Sequence, residues 1–413
     1  MTDVTRRAAF AATGVGLLAA AGCGSSFKSA TATAPQKTTG TQKLTVLFGS
    51  SGTAETANLQ SLCNAWATKN SAKVNVLAAS NLPQQLSQGF AANKPADIFY
   101  VDPTLFQSYV KAGNLYAYGD KLSADGFYPN LTSLYTSGGK LYCVPKDFST
   151  LGLQINTKLW SAAGLTAADY PTTWAQLTAV SKKLTSAKVV GLSMSTSRDR
   201  VGAFMRQAGG WYLNSDQTKA TADSAANMAA LTYLKSLLSA GTMKWASDIG
   251  ATWGGEAFGT GKAAMTIEGN WIASTMTSDY PGISYANVAL PKGPAGSGTL
   301  SFVNGWGVAA KSAYQSAAVS LVEYLCSTSS QLSIAKGIGT MPSRQALAAD
   351  YVKAFPAQKA FADEASYAHG QVTLSSMTAV LADFDTQLAS LATQAPATIL
   401  TRLQKNTAAA IGS

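Results

Sequence analysis

"KAAMTIEGNW" (Lys262–Trp271) joins six residues of buried-strand character, Ala263 to Glu268, to a turn and a tryptophan. A core tryptophan ordinarily sits inside a periodic apolar pattern. This one follows Gly269 and Asn270, residues that turn a backbone. A ring placed there can point from the strand's end into a cleft. Trp271 is therefore expected in a binding site, with Glu268 and Asn270 on the same turn.

Beyond this stretch, "YANVALP" (285–291) and "VNGWGVAA" (303–310) read as strands around a Gly/Pro loop. A helix, "SAAVSLVEYLCS" (316–327), and two helical stretches near 376–392 and 397–411 complete the chain. Before it, "TTWAQLTAVSKKL" (172–184) and "AANMAALTYLKSLLSAG" (225–241) have helical spacing. Thr172 or Thr173 is the expected N-cap of the first, and Trp174 its packing anchor.

The N-terminal part of the body alternates more regularly. "KLTVLFGSSGT" (43–53) is a strand that stops in Gly/Ser. Leu59, Leu62, Cys63 and Trp66 follow at helical spacing, then a strand at 73–79, a helix, and the strand Asp97–Val101. Strand–helix–strand–helix–strand predicts a parallel, doubly wound sheet with helices on its faces. "GGKLYCVPKDFSTLGLQIN" (138–156) reads as two apolar strands flanking Pro145–Phe148.

The chain's 413 residues exceed one core of ordinary size, so two or more lobes are expected. Apolar residues make up 46% and charged residues 13%, which excludes a disordered chain. The net charge of +10 is spread thinly, without the Lys/Arg clusters of a nucleic-acid binder. A weakly basic surface with some attraction to an anionic membrane or cell wall is the better reading.

Arg6 and Arg7, an apolar stretch from Ala8 to Ala21, and Gly22-Cys23 describe a secretory signal over 1–22. Ala20-Ala21-Gly22-Cys23 resembles a bacterial lipobox, with Cys23 as the lipidated first residue. Residues 23–42 read as a lipid-anchored flexible tether. No later segment is long and apolar enough to span a membrane. Cys63, Cys143 and Cys326 remain, so at most one internal disulfide can form. His369 is the sole histidine and no CxxC spacing occurs, which argues against a zinc site or a Ser-His-Asp centre.

Five stretches, in order, carry a family resemblance: "ADIFYVDPTLFQSYVKAGNLYAY", "GGKLYCVPKDFSTLGLQINTKLWSAAGL", "PTTWAQL", "FGTGKAAMTIEGNW" and "LPKGPAGSGTLSFVNGWGVAAKS". Over roughly 43–413 the chain resembles the family 1 extracellular solute-binding proteins of ABC importers, the maltose- and multiple-sugar-binding type. The resemblance implies an α/β, two-lobe periplasmic-binding-protein-like fold (type II), each lobe a doubly wound sheet, with a ligand cleft at the hinge. Lobe 1 would hold 43–150 and 265–340, lobe 2 151–264 and 341–413.

The implied function is capture of a sugar or oligosaccharide outside the membrane and its delivery to ABC permease subunits. The protein would be a monomer, anchored by lipid at the outer face of the cytoplasmic membrane, with no metal, cofactor or nucleic acid. It has no phosphate-binding Gly-rich loop of its own for ATP. Sugars demand aromatic rings for their C–H faces and polar groups for their hydroxyl rim.

Trp271 matches the family's stacking position, beside Glu268 and Asn270. Asp102 ends a strand; Asp147 and Ser149 lie in the crossing segment; Asn304 and Trp306 form the Asn-Gly-Trp turn. Trp253 and Trp211 are flanked by glycines, Ser50 and Ser51 follow the first strand, and Arg344 could reach a hydroxyl or carboxylate. Trp66, Trp160 and Trp174 are expected in the core, and Asp97 as a structural residue at a strand start.

One departure stands out. No tryptophan follows Trp306, whereas many family members stack one from a helix near the C-terminus. This leaves a polyol, a glycerol phosphodiester, an oxyanion or a metal as alternative ligands on the same fold. A secreted carbohydrate-active enzyme is a further rival; it would need two carboxylates about 5–10 Å apart, and no hydrolase motif is visible.

Overall fold

The computed structural model describes residues 41–50, 52–122 and 126–412. The expected signal sequence, Cys23 and nearly all of the tether, together with Ser51, lie outside the described residues. The strands are β1 (Lys43–Phe48), β2 (Lys73–Ala78), β3 (Ile98–Val101), β4 (Thr136–Ser137), β5 (Lys140–Leu141), β6 (Cys143–Asn156), β7 (Val190–Met194), β8 (Met243–Trp245), β9 (Ala263–Gly269), β10 (Tyr285–Val288), β11 (Leu300–Val308), β12 (Met341–Pro342) and β13 (His369–Gly370).

Alternation sets the first sheet. Leu44, Val46 and Phe48 of β1 join one hydrophobic cluster with Ile98 and Tyr100 of β3, while Phe99 and Val101 join another. Successive strand side chains point to opposite faces, so both faces are apolar and both need cover. Helix Thr53–Lys69 covers the first face with Leu59, Cys63 and Trp66. Helices Leu82–Ala91 and Pro103–Lys111 cover the second with Leu86 and Phe106. β1 accordingly pairs in parallel with both β2 and β3.

The strand order is β2-β1-β3-β11-β6-β9-β7-β8, with β10 and β12 also on β6 and β13 on β11. β9, β7 and β8 are parallel to one another. Between these two parallel sets run β11 and β6, antiparallel to their neighbours. β6 contributes Val144 and Phe148 to the two clusters around β1–β3, then Leu151, Leu153 and Ile155 to a third around β7–β9. β11 makes the same passage in reverse, from Leu300 to Trp306.

β6 corrects the reading of two strands around Pro145–Phe148: it is one continuous strand, buried throughout. Pro145 lies opposite Gly305 and Asp147 opposite Asn304, so Lys146 is an extra residue in the ladder. A β-bulge tolerates a proline that cannot donate to the ladder, so the chain continues where the sequence suggests a break.

Helix Trp174–Leu184 is capped by Thr173, and Trp174 stacks on Tyr233 at 4.3 Å with its indole donating to Gln207. Trp66 and Trp160 are buried. Asp97 accepts from the Thr45 backbone (2.8 Å) and the Ser312 hydroxyl (2.5 Å), tying β1 to the segment that follows β11. Helices Arg198–Gln207, Ile272–Ser278 and Thr328–Ile338, and strands β7 and β8, lie where the sequence reading assigned no element.

Candidate functional site

The C-terminal ends of β7 and β9 adjoin, with Ser193 paired to Thr266. Ligands of α/β sheets collect at such ends. Glu268 is buried there, its backbone locked to the side chain of Gln154 on β6 by bonds of 2.9 and 3.3 Å. Its Oε2 accepts from Arg200, in the first turn of helix Arg198–Gln207, and from the indole Nε1 of Trp271 at 3.2 Å.

Trp271 is half-buried and sits at the N-cap of helix Ile272–Ser278. Its ring meets Phe302 edge-on at 5.2 Å and lies 5.6 Å from the Arg200 guanidinium. Burial raises the Glu268 carboxyl pKa, opposed by Arg200, Trp271 and Ser195. Glu268 Oε1 and the Thr266 hydroxyl are buried without hydrogen-bond partners. Gly254 permits this crowding, since a Cβ there would lie 2.6 Å from Thr266 Oγ1 and 2.8 Å from Glu268 Oε1.

A second group lies on the crossing strands. Phe302 stands opposite Ser149 and Asn304 opposite Asp147. Thr340 donates to Asp147 at 2.8 Å, and Asn270 donates to the neighbouring Gly339 carbonyl at 2.7 Å. Trp271 and Ser149 thus meet Phe302, while Asn270 and Asp147 are tied to the adjacent residues Gly339 and Thr340. The bulge aims Lys146 inward, where it pairs with Glu55 at 3.2 Å and with Asp147, 4.7 Å from the Tyr100 ring centre. Burial raises the Asp147 pKa against the pull of Lys146; burial opposes the charge on Lys146, but Asp147 and Glu55 outweigh it and its pKa is raised.

The other sequence candidates have these surroundings. Trp306 is a correction: it is fully buried, edge-on to Tyr100 at 4.9 Å, because its face of β11 meets the helix-covered side of the first sheet. Arg344 is half-buried, donates to the Cys326 carbonyl at 2.8 Å and lies over the Phe127 ring at 4.4 Å. Asp102 is exposed and caps helix Pro103–Lys111 through the Thr104 amide at 2.8 Å. Ser50 closes its own turn through Gly52 and Thr56. Trp253 packs with Phe258 and Ile272. Trp211 is buried and lies against His369 at 4.4 Å.

The sequence reading missed Phe302, Arg200 and Thr340. For Arg200 a signal existed: "SRDR" places charges directly after an N-cap serine, where a helix begins beyond a strand. Phe302 and Thr340 carried none, since their partners are distant in sequence.

With this geometry in place, the chain matches the bacterial extracellular solute-binding proteins over residues 61–363. It belongs to that family. A lactose-binding protein of Rhizobium radiobacter is 29% identical over 226 residues, 52% of this chain and 53% of that protein. The match therefore spans about half the length of that relative.

Two solved structures resemble this solute-binding protein closely in fold. The cyclic alpha-maltosyl-1,6-maltose binding protein of Arthrobacter globiformis superposes with a TM-score of 0.80 at 19% identity, covering 90% of this chain and 99% of that one. An ABC substrate-binding protein of Listeria monocytogenes in complex with cycloalternan gives 0.79 at 21%, covering 90% and 100%. The fold is thus the α/β, periplasmic-binding-protein-like one that the sequence resemblance implied. Membership of an extracellular family carries an extracytoplasmic location. No helix among the described residues is long and apolar enough to cross a membrane.

Proposed function

We propose that this chain is the substrate-binding component of an ABC importer, capturing a sugar or oligosaccharide and delivering it to permease subunits in the membrane. The observation that carries the proposal is Trp271: a half-buried ring at the C-terminal ends of parallel strands, steered by Glu268, Arg200 and Phe302. A pyranose C–H face stacks on such a ring, and polar groups around it take hydroxyls. Saccharide-binding relatives support the ligand class.

β6 and β11 act as hinge strands between two lobes that close over the ligand. The chain binds its ligand without converting it. Cys23 carries the lipid after removal of residues 1–22, and the protein works as a monomer at the outer face of the membrane.

The test is a thermal-shift and calorimetric screen against mono-, di- and oligosaccharides, polyols, glycerol phosphodiesters, oxyanions and metal ions. A ligand that binds only the folded state raises the melting temperature. A saccharide should raise it, and Trp271→Ala should abolish the shift. A shift given only by a phosphodiester, oxyanion or metal overturns the saccharide reading.

A further inference from the structure

Helix Arg198–Gln207 carries three arginines with different surroundings. Arg198 pairs with Asp385 and Arg200 with Glu268. Arg206, in the last turn, has no carboxylate within ion-pair distance among the described residues; one of its nitrogens donates to the Gly210 carbonyl at 3.3 Å, and Trp211 lies 5.9 Å from it. It borders a cavity of about 230 Å³ shared with Trp211, His369, Gln371, Asn214 and Gln217. Trp211 and Gln371 also line a separate small cleft with Asp199 and Thr104. Thr104 lies in the first turn of the helix beyond β3 and Asp199 in the first turn of the helix beyond β7, so the small cleft touches elements that follow both parallel strand sets.

The lining supplies acceptors as well as a cation. His369 Nδ1 bonds the Gly370 carbonyl at 2.6 Å, which makes Nδ1 the donor and leaves Nε2 an acceptor in the neutral ring. Burial, with Arg206 nearby, lowers the His369 pKa to about 4, so the ring is neutral at pH 7. Gln217 Oε1 is buried without a hydrogen-bond partner. Its backbone is held at φ 58°, an unfavourable conformation for glutamine, in a turn fastened by Asn214. Asp199 accepts from Gln371 at 3.2 Å. Asp199 and Arg206 are seven residues apart, on one helix face and about 10 Å apart along the axis.

We propose that this cavity is a subsite for a single acidic sugar ring, its carboxylate on Arg206 and its hydroxyls on His369 Nε2, Gln217 and Gln371. The volume is below the roughly 300–1,000 Å³ of sites for drug-sized ligands, which fits one ring rather than a chain. A guanidinium with free donors prefers a carboxylate, which it can bind bidentately, over a hydroxyl. The acceptors suit hydroxyls and oppose a bare polyanion such as phosphate or sulfate. The inference rests on the saccharide reading and narrows it.

Calorimetry on the protein compares matched pairs: glucuronate with glucose, galacturonate with galactose, and uronate-terminated disaccharides with their neutral parents. At least one acidic member should bind tenfold or more tightly than its neutral partner, with affinity falling as salt rises. Arg206→Gln should remove that preference while neutral-sugar binding persists, and Arg206→Lys should keep part of it. Thermal melts of both variants establish that they fold. Equal binding within every pair, or a preference that survives Arg206→Gln, overturns the acidic subsite and leaves the saccharide reading standing. If neither neutral nor acidic saccharides bind at millimolar concentration, both fall.

Discussion

The indole of Trp271 and the guanidinium of Arg200 share one carboxylate oxygen, Glu268 Oε2. One buried acid thus orients the ring and neutralises the cation. Glu268→Gln keeps the shape but leaves Arg200, only 14% exposed, without its counter-charge. Removing one partner of a buried pair costs about 3–5 kcal/mol. Urea unfolding should show a loss of about 3 kcal/mol, and saccharide affinity should fall roughly tenfold as the ring exchanges a charged acceptor for a weaker neutral one. An unchanged unfolding midpoint would refute the structural role of the pair.

Lys146 is buried between two carboxylates, Glu55 and Asp147, beside the Tyr100 ring. Lys146→Met preserves the length of the side chain and removes the charge. Removing the cation from this buried group should cost about 3 kcal/mol of stability at pH 7. The loss should shrink at pH 5 as Asp147, whose pKa burial already raises, takes up a proton. Equal losses at both pH values would count against the electrostatic account.

Glu364 is fully buried; its Oε1 accepts from the Leu290 amide and Tyr367, while Oε2 has no partner. Burial pushes its pKa up to about 8, with Asp363 adding to the rise. In the unfolded chain it ionises near 4.3. Between these values the folded state holds one more proton, so this group's contribution to stability is greatest below the unfolded pKa and is lost as pH rises to about 8. Glu364→Gln keeps the accepting oxygen and removes the titration. It should stabilise the protein at pH 8 by on the order of 2 kcal/mol and do little at pH 4.5. Denaturant midpoints at the two pH values test this, and identical shifts at both would contradict it.

Cys63, Cys143 and Cys326 are buried free thiols. Burial raises all three, Cys63 and Cys326 to about 12 and Cys143 well above its usual value. The thiolate is the reactive form. In a Cys23→Ser variant at pH 8, a thiol reagent should find essentially none in the folded protein and all three after unfolding in denaturant. A single reactive thiol after unfolding would mean that two of them are bridged.

The local grammar of the fold was legible. Apolar alternation in 43–48 and 98–101, helical spacing at Leu59, Cys63 and Trp66, and the Thr173 cap each depend on a few neighbouring residues. The turn at Gly269-Asn270 was legible too, so Trp271 could be placed at a strand end before any partner was known. Trp306 shows the limit. It also follows an Asn-Gly turn signal, yet it is sealed against Tyr100, which the sequence leaves 206 positions away.

By itself, the sequence determined the α/β class, the family, the parallel character of the first three strands and the aromatic and polar residue types at strand ends. Only the tertiary structure decided that β6 runs unbroken through Pro145, because the residue opposite is Gly305 at a bulge. Only it brought Arg200 to Glu268 and Phe302 to Trp271, and left Arg206 facing a cavity without a carboxylate. Periodicity and turn chemistry act over a few residues of backbone. Burial and charge pairing depend on which distant segments meet.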